Sequence, residues 1–191
     1  MGDVAVVQMS GPPGAGKTTI ARELVRHRRF VAIDRDVVLT AMLDTGGANL
    51  EKDDSFSFAR VSSYNVVKAM ADDVLAQGIG VIIDSPCFYD ELLAAGQALA
   101  AKHGVQYRYI QCVTEDIGLL DTRLRSRPAL RSQRPAVDLP PIDLGTEPER
   151  GTELFTDWIS KVKRPDEYLS LDTTRPLEEC VTKALAYLDG P

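Results

Sequence analysis

The sequence predicts an α/β fold in three layers, a parallel sheet with helices on both faces. Three observations carry this expectation. Short β-rich runs alternate with helical stretches along the chain, the pattern of strands joined by crossover helices. The first run, Val4–Met9, is apolar at every position but Gln8, as expected of a strand buried on both faces. It leads into a Gly-rich turn and then a helical stretch.

That turn reads Gly11, Pro12, Pro13, Gly14, Ala15, Gly16, Lys17, Thr18, the spacing G-x-x-x-x-G-K-[ST], with Thr19 next. Glycines let backbone N–H groups wrap a phosphate, and the helix N-terminus adds a positive dipole end. Lys17 can bridge the outer phosphates and the Thr18 hydroxyl can reach Mg²⁺. The spacing and its strand–turn–helix context therefore predict a nucleoside triphosphate site at Gly11–Thr19. The following helix is expected from Thr18 to about His27.

Phe30–Ile33 is the second strand, followed by Asp34, Arg35 and Asp36. A carboxylate there can accept the proton of a hydroxyl attacking the γ-phosphate. Arg35 can fix a substrate anion. The same acids can instead cap and charge the helix that runs on to about Leu43. Polar, Gly-containing Thr45–Ser55 is expected to be a loop. Tyr64, Val67, Ala71, Val74 and Leu75 then mark one helix face. Gly80–Ile83 is the next strand, and Asp84 at its end suits a Mg²⁺ ligand beside the phosphates, or a helix cap.

Gln106–Cys112 is a strand, and Ile117, Leu120 and Leu124 mark a helix after it. Five arginines follow within Arg123–Arg134: Arg123, Arg125, Arg127, Arg131 and Arg134. Arg123 and Arg127 are four apart and would share a helix face. Cations arriving with the substrate would stabilise the transferring phosphoryl group, so this segment is expected to close as a lid. A basic helix end facing water is the alternative. Arg127–Arg150 holds Pro128, Pro135, Pro140, Pro141 and Pro148 with little periodicity. It is too long for a passive connection. Tyr168–Leu171 is the last strand and Leu177–Leu188 the last helix. The turn between them is expected to line an adenine pocket with Thr173 and Arg175, or to cap the helix.

The chain of 191 residues carries 22 basic and 28 acidic side chains, a formal charge of −6. The total argues against a bulk polyanion binder. Its distribution is uneven: +3 over residues 1–30, −3 over 31–134 and −6 over 135–191. Two cationic regions, the Gly-rich turn with its helix and the Arg123–Arg134 segment, can thus converge on one triphosphate. No apolar run reaches the roughly 20 residues of a membrane span, and no signal-peptide pattern opens the chain. Three dispersed cysteines, Cys87, Cys112 and Cys180, form no CxxC pair, which fits a reducing, cytoplasmic setting and no zinc site. The absence of N-K-x-D argues against a signalling GTPase.

With the Gly11–Thr18 turn, Asp34-Arg35-Asp36, Asp84 and Arg123–Arg127 placed, the chain resembles the small AAA-type P-loop kinases. These include the shikimate, gluconate and chloramphenicol kinases and the kinase domain of phage polynucleotide kinase. The resemblance implies a single domain over 1–191, a parallel sheet of strand order 2-3-1-4-5, and a mobile lid over about 123–150. It implies Lys17 and Thr18 on phosphate and Mg²⁺, Asp36 as the acid that deprotonates the acceptor hydroxyl, and Arg123 and Arg127 on the lid. Polynucleotide kinases often carry an arginine three residues after this acid. Here that position is Leu39, which disfavours a nucleic-acid substrate. The function expected is an ATP- and Mg²⁺-dependent phosphotransferase acting on a small-molecule hydroxyl. Metal ligands are expected at Thr18 and Asp84, with Asp34 a further candidate, and substrate contacts at Asp34, Arg35, Asp36, Asp84 and Arg127. Further acceptor contacts are expected from Thr40–Ala59, Phe56–Tyr64 and Cys87–Tyr89. A 5′-hydroxyl polynucleotide kinase and a nucleotide-gated binding module that transfers nothing are the alternatives.

Overall fold

A computed structural model describes residues 4–46, 52–144 and 150–190. Five parallel strands form one sheet: β1 (Ala5–Ser10), β2 (Phe30–Asp34), β3 (Gly80–Asp84), β4 (Gln106–Val113) and β5 (Leu169–Asp172). Their spatial order is β2-β3-β1-β4-β5. Each strand lies within a residue or two of its expected bounds. The helices are α1 (Lys17–His27), α2 (Arg35–Gly46), α3 (Lys52–Ala76), α4 (Asp90–His103), α5 (Ile117–Ser126), α6 (Gly151–Ser160) and α7 (Leu177–Asp189).

Strand alternation divides the core between the two faces. Val7 and Met9 of β1 join Ile20, Leu24, Leu120, Phe155 and Val181 on the face covered by α1, α5, α6 and α7. Val6 joins Ile33, Val67, Ala71, Val81 and Leu99 on the face covered by α3 and α4. Both faces are apolar, which is why Val4–Met9 reads as a hydrophobic run; its one polar side chain, Gln8, is buried and donates to the carbonyls of Met9 and Ser85.

Two expectations change. The Thr45–Ser55 loop is shorter than its composition implies: α2 runs to Gly46 and α3 starts at Lys52, with residues 47–51 outside the described residues. Leu39, Leu43 and Ala59 form a small core of their own, and burying them sustains both helices across a polar sequence. The described part of the Pro-rich Arg127–Arg150 stretch, residues 127–144, is irregular apart from a 3₁₀ turn at Ile142–Leu144. It is followed by α6, an unforeseen helix that buries Phe155 against the sheet. Residues 145–149 of the expected lid lie outside the described residues. His103 ends α4 at left-handed Gly104 (φ 63°), the conformation that glycine adopts at a helix end at no steric cost.

The parallel order brings the C-terminal ends of the strands together. Asp34 of β2 and Asp84 of β3 are register partners, and Asp84 also pairs with Met9 of β1. Two carboxylates therefore stand beside the turn that leaves β1.

Candidate active site

The turn after β1 takes its shape from three glycines with positive φ: Gly11 (126°), Gly14 (84°) and Gly16 (85°). Gly11 sits so close to β4 that a Cβ would lie 2.2 Å from the Cys112 carbonyl oxygen. Gly11→Ala is expected to lower thermal stability by about 1–3 kcal/mol through backbone strain alone. The displaced turn should also lose at least tenfold in ATP affinity by titration calorimetry. Gly78→Ala is the matched control. It also has positive φ (71°), a milder backbone demand than that of Gly11, and no atom lies within 4 Å of its Cβ, so it should leave ATP affinity unchanged.

Lys17 Nζ donates to the carbonyls of Gly11 and Pro12, each at 3.0 Å, which centres its charge inside the turn. Pro13, Gly14, Gly16, Lys17, Thr18 and Thr19 line a cleft of about 970 Å³. Gly11, Pro12 and Ala15 do not line it; Ala15 is wholly buried and supports the turn from behind.

Asp84, 5% exposed, lines the same cleft. Burial pushes its carboxyl up to about 6, against the opposing pull of Lys17 and a hydrogen bond with Thr18. Its Oδ2 has no hydrogen-bond partner. Asp34 is raised as well, first by burial and then by Asp36. Its Oδ1 accepts from the Asp36 backbone N–H at 2.9 Å, so Asp34 also caps the start of α2. Asp36 Oδ2 accepts from Gln133 Nε2 at 3.0 Å. Arg35 is 7% exposed, lies 3.8 Å over the Tyr64 ring and donates to the Arg60 carbonyl. Asp34, Arg35 and Asp36 all line the cleft.

The five arginines separate by their partners. Arg123 reaches across to the turn after β5, donating to Thr173 O at 2.6 Å and Thr173 Oγ1 at 3.3 Å, with Gly14 O at 3.5 Å. It ties α5, the phosphate turn and the β5–α7 turn together. Arg127 lines the cleft, with an Nε that is buried and unpartnered. Arg125 is held by Asp121 and Asp138, and Arg131 by Asp143 and Asp44. Neither lines the cleft. Arg134 is 2% exposed, lies over the Phe155 and Trp158 rings at 5.2 and 5.1 Å, and lines the cleft. It donates to Gly151 O, while its Nε and Nη1 have no partner among the described residues.

Thr173 and Arg175 line the cleft together with Ile20, Leu177 and Cys180. Thr173 is fixed by Thr114 at 2.8 Å, and Asp172 closes the turn by accepting from Thr174 N. Arg60, Tyr64, Phe88 and Tyr89 line the cleft from the stretches expected to contact an acceptor. Described side chains at 40–45 and 57–59 do not line it; Leu43 and Ala59 face the small core instead. Ser132, Gln133, Leu154, Trp158 and Lys161, none of them expected from the sequence, also line the cleft. Trp158 and Phe88, with ring centroids 6.2 Å apart, had one usable signal: the apolar spacing of Leu154, Phe155, Trp158 and Ile159.

Among the described residues no helix is long and apolar enough to cross a membrane. Residues 6–140 match the AAA domain family. The chain is 31% identical over 183 residues to a shikimate kinase of Frankia casuarinae, covering 85% of this chain and 77% of that one. A solved kinase candidate from Chloroflexus aurantiacus superposes with a TM-score of 0.70 at 21% identity, covering 98% of this chain and 97% of the other. A gluconokinase from Sinorhizobium meliloti gives 0.58 at 17% identity over 98% and 92%. The two structures share the fold. The family match and the shikimate kinase relative extend the likeness to sequence across the cleft-forming segments, so the chain belongs to the AAA domain family and is an ATP-binding P-loop kinase.

Proposed function

We propose that this kinase moves the γ-phosphate of ATP to a hydroxyl of a small molecule, with Asp36 as general base. The observation that carries this reading is the position of Asp36, which lines one cleft with Lys17, Thr18 and Asp84. In-line transfer needs the attacking oxygen on the side of the γ-phosphate away from the leaving group. Lys17 holds the phosphates, Arg123 of α5 and Arg127 just past its end meet charge on the transferring group, and Asp36 takes the hydroxyl proton. Thr173 and Arg175 border the adenine.

The Thr18 hydroxyl and the unpartnered Asp84 Oδ2 are hard oxygen donors that suit Mg²⁺. When bound, the ion neutralises phosphate charge. A raised acid also sets a stability signature. Asp84's folded value, about 6, exceeds its ordinary 3.8. Below 3.8 the carboxyl is neutral in both folded and unfolded states; between 3.8 and 6 ionisation favours the unfolded chain. The resulting loss reaches about 3 kcal/mol at pH 7. Asp84→Asn is therefore expected to raise the melting temperature of the nucleotide-free protein at pH 7.5 while nearly abolishing turnover. A lowered melting temperature would contradict the burial cost assigned to Asp84.

The acceptor end of the cleft supports an acceptor that carries an anionic group. Arg35 and Arg134 are buried beside aromatic rings and, among the described residues, form no ion pair and keep unmatched N–H groups. A buried cation in that state is costly until an anion pairs with it. Leu39 faces a small apolar core rather than offering a cation three residues beyond Asp36, which weighs against a polynucleotide 5′-hydroxyl. The test is ADP release across hydroxylated carboxylates, neutral sugars, nucleosides, antibiotics and 5′-hydroxyl oligonucleotides, with Lys17→Ala as blank. A hydroxylated carboxylate should give the highest kcat/KM. Turnover of oligonucleotides alone would favour the polynucleotide reading, and ATP binding with no acceptor-stimulated ADP release would favour a nucleotide-gated module.

A further inference from the structure

One contact in the cleft joins the proposed base to the Pro-rich segment: Gln133 Nε2 donates to Asp36 Oδ2 at 3.0 Å. We propose that Gln133 determines the choice of nucleophile, holding Asp36 away from water until a bound acceptor hydroxyl takes the amide's place. The proposal rests on the reading of Asp36 as general base.

The amide is oriented at both ends. Its Oε1 accepts from Leu130 N at 3.3 Å, and Gln133 N donates to Leu130 O at 2.8 Å. With an N–H on its oxygen end, the NH₂ end faces the carboxylate. The surrounding segment is fixed to α2. Ser132 Oγ donates to Asp36 O at 3.0 Å, Ser132 N donates to Thr40 Oγ1 at 3.2 Å, and Arg131 bonds Leu43 O and pairs with Asp44 and Asp143. These contacts pin the backbone and leave the Gln133 side chain as the part that can swing.

Wasteful hydrolysis needs the same base. A water oxygen bonds to the γ-phosphorus, the bond from that phosphorus to the β,γ-bridging oxygen breaks, and a water proton passes to the Asp36 carboxylate, giving ADP and inorganic phosphate. The Gln133 amide occupies the Oδ2 lone pair on the side from which a water would hand over its proton. Water displacing Gln133 gains one hydrogen bond and leaves the amide donor unmatched, so little is won. An acceptor held by other contacts presents its hydroxyl at high effective concentration and can displace the amide. One contact thus suppresses hydrolysis and yields to the substrate.

The test is acceptor-free ADP release from Mg²⁺ and ATP by the full chain. Gln133→Ala should release ADP on the order of tenfold faster than wild type, the value of one hydrogen bond to a charged group, with ATP affinity unchanged. Gln133→Met keeps the side-chain length without the donor, should behave alike, and covers poor folding of the alanine variant. Adding Asp36→Asn to either must cancel the rise. Unchanged basal release in a folded variant overturns the proposal, as does a rise that survives Asp36→Asn, which would reflect a loosened segment. Failure of the Asp36 reading shows separately, as Asp36→Asn alone transferring to the acceptor at the wild-type rate.

Discussion

Asp36→Asn protein should bind ATP as wild type does and transfer phosphate roughly 100- to 10,000-fold more slowly, the usual contribution of a positioned general base. The substitution keeps the shape and removes the proton acceptor. The loss should fall on kcat, because the phosphates are held by Lys17 and the glycine turn on another wall of the cleft. Asp34→Asn should differ. Asp34 is committed to the α2 cap through the Asp36 N–H, and an asparagine side chain caps nearly as well. Single-turnover kinetics with a saturating acceptor separates the two. If Asp34→Asn proved the more damaging for chemistry, the base would be misassigned.

Arg127→Ala is expected to cost roughly 1,000-fold in kcat/KM, the scale seen when a cation on the transferring phosphoryl group is removed. Its Nε is buried without a partner, and the side chain lines the cleft. Arg125→Ala, two residues away, should leave kcat/KM within about twofold: its charge is already met by two exposed carboxylates, and exposed pairs of this kind contribute little. Steady-state kinetics on both variants makes the comparison. Equal losses would mean that the cluster acts through general charge rather than through the residue that reaches the cleft.

The legible parts of this protein are those with short-range causes. Gly11–Thr18 announced itself because a phosphate-sized turn needs positive φ at particular positions, and Gly11, Gly14 and Gly16 supply it. The sheet was legible because strands apolar on both faces have no other stable place, and its order followed from the family resemblance. Asp34, Asp36 and Asp84 could be nominated because each ends a strand or begins a helix beside it. What stayed hidden depends on long-range packing. Arg134 lies in a proline-rich stretch where an arginine ordinarily faces water; its burial comes from Phe155 and Trp158 of α6. Gln133 reaches Asp36 across 97 residues of sequence, and no local pattern encodes that. The roles of Arg123, Arg125 and Arg131 were likewise set by where Thr173, Asp138 and Asp143 come to lie.

The central claim is that this cleft transfers phosphate from ATP to an alcohol with Asp36 taking the proton. Phosphorus-31 NMR of ATP turnover with a hydroxylated carboxylate acceptor reads the new bond directly. A phosphomonoester signal should grow in step with ADP for the wild type and be nearly absent for Asp36→Asn. Inorganic phosphate alone, formed at one rate with or without acceptor, or an acyl phosphate in place of the ester, would contradict that claim.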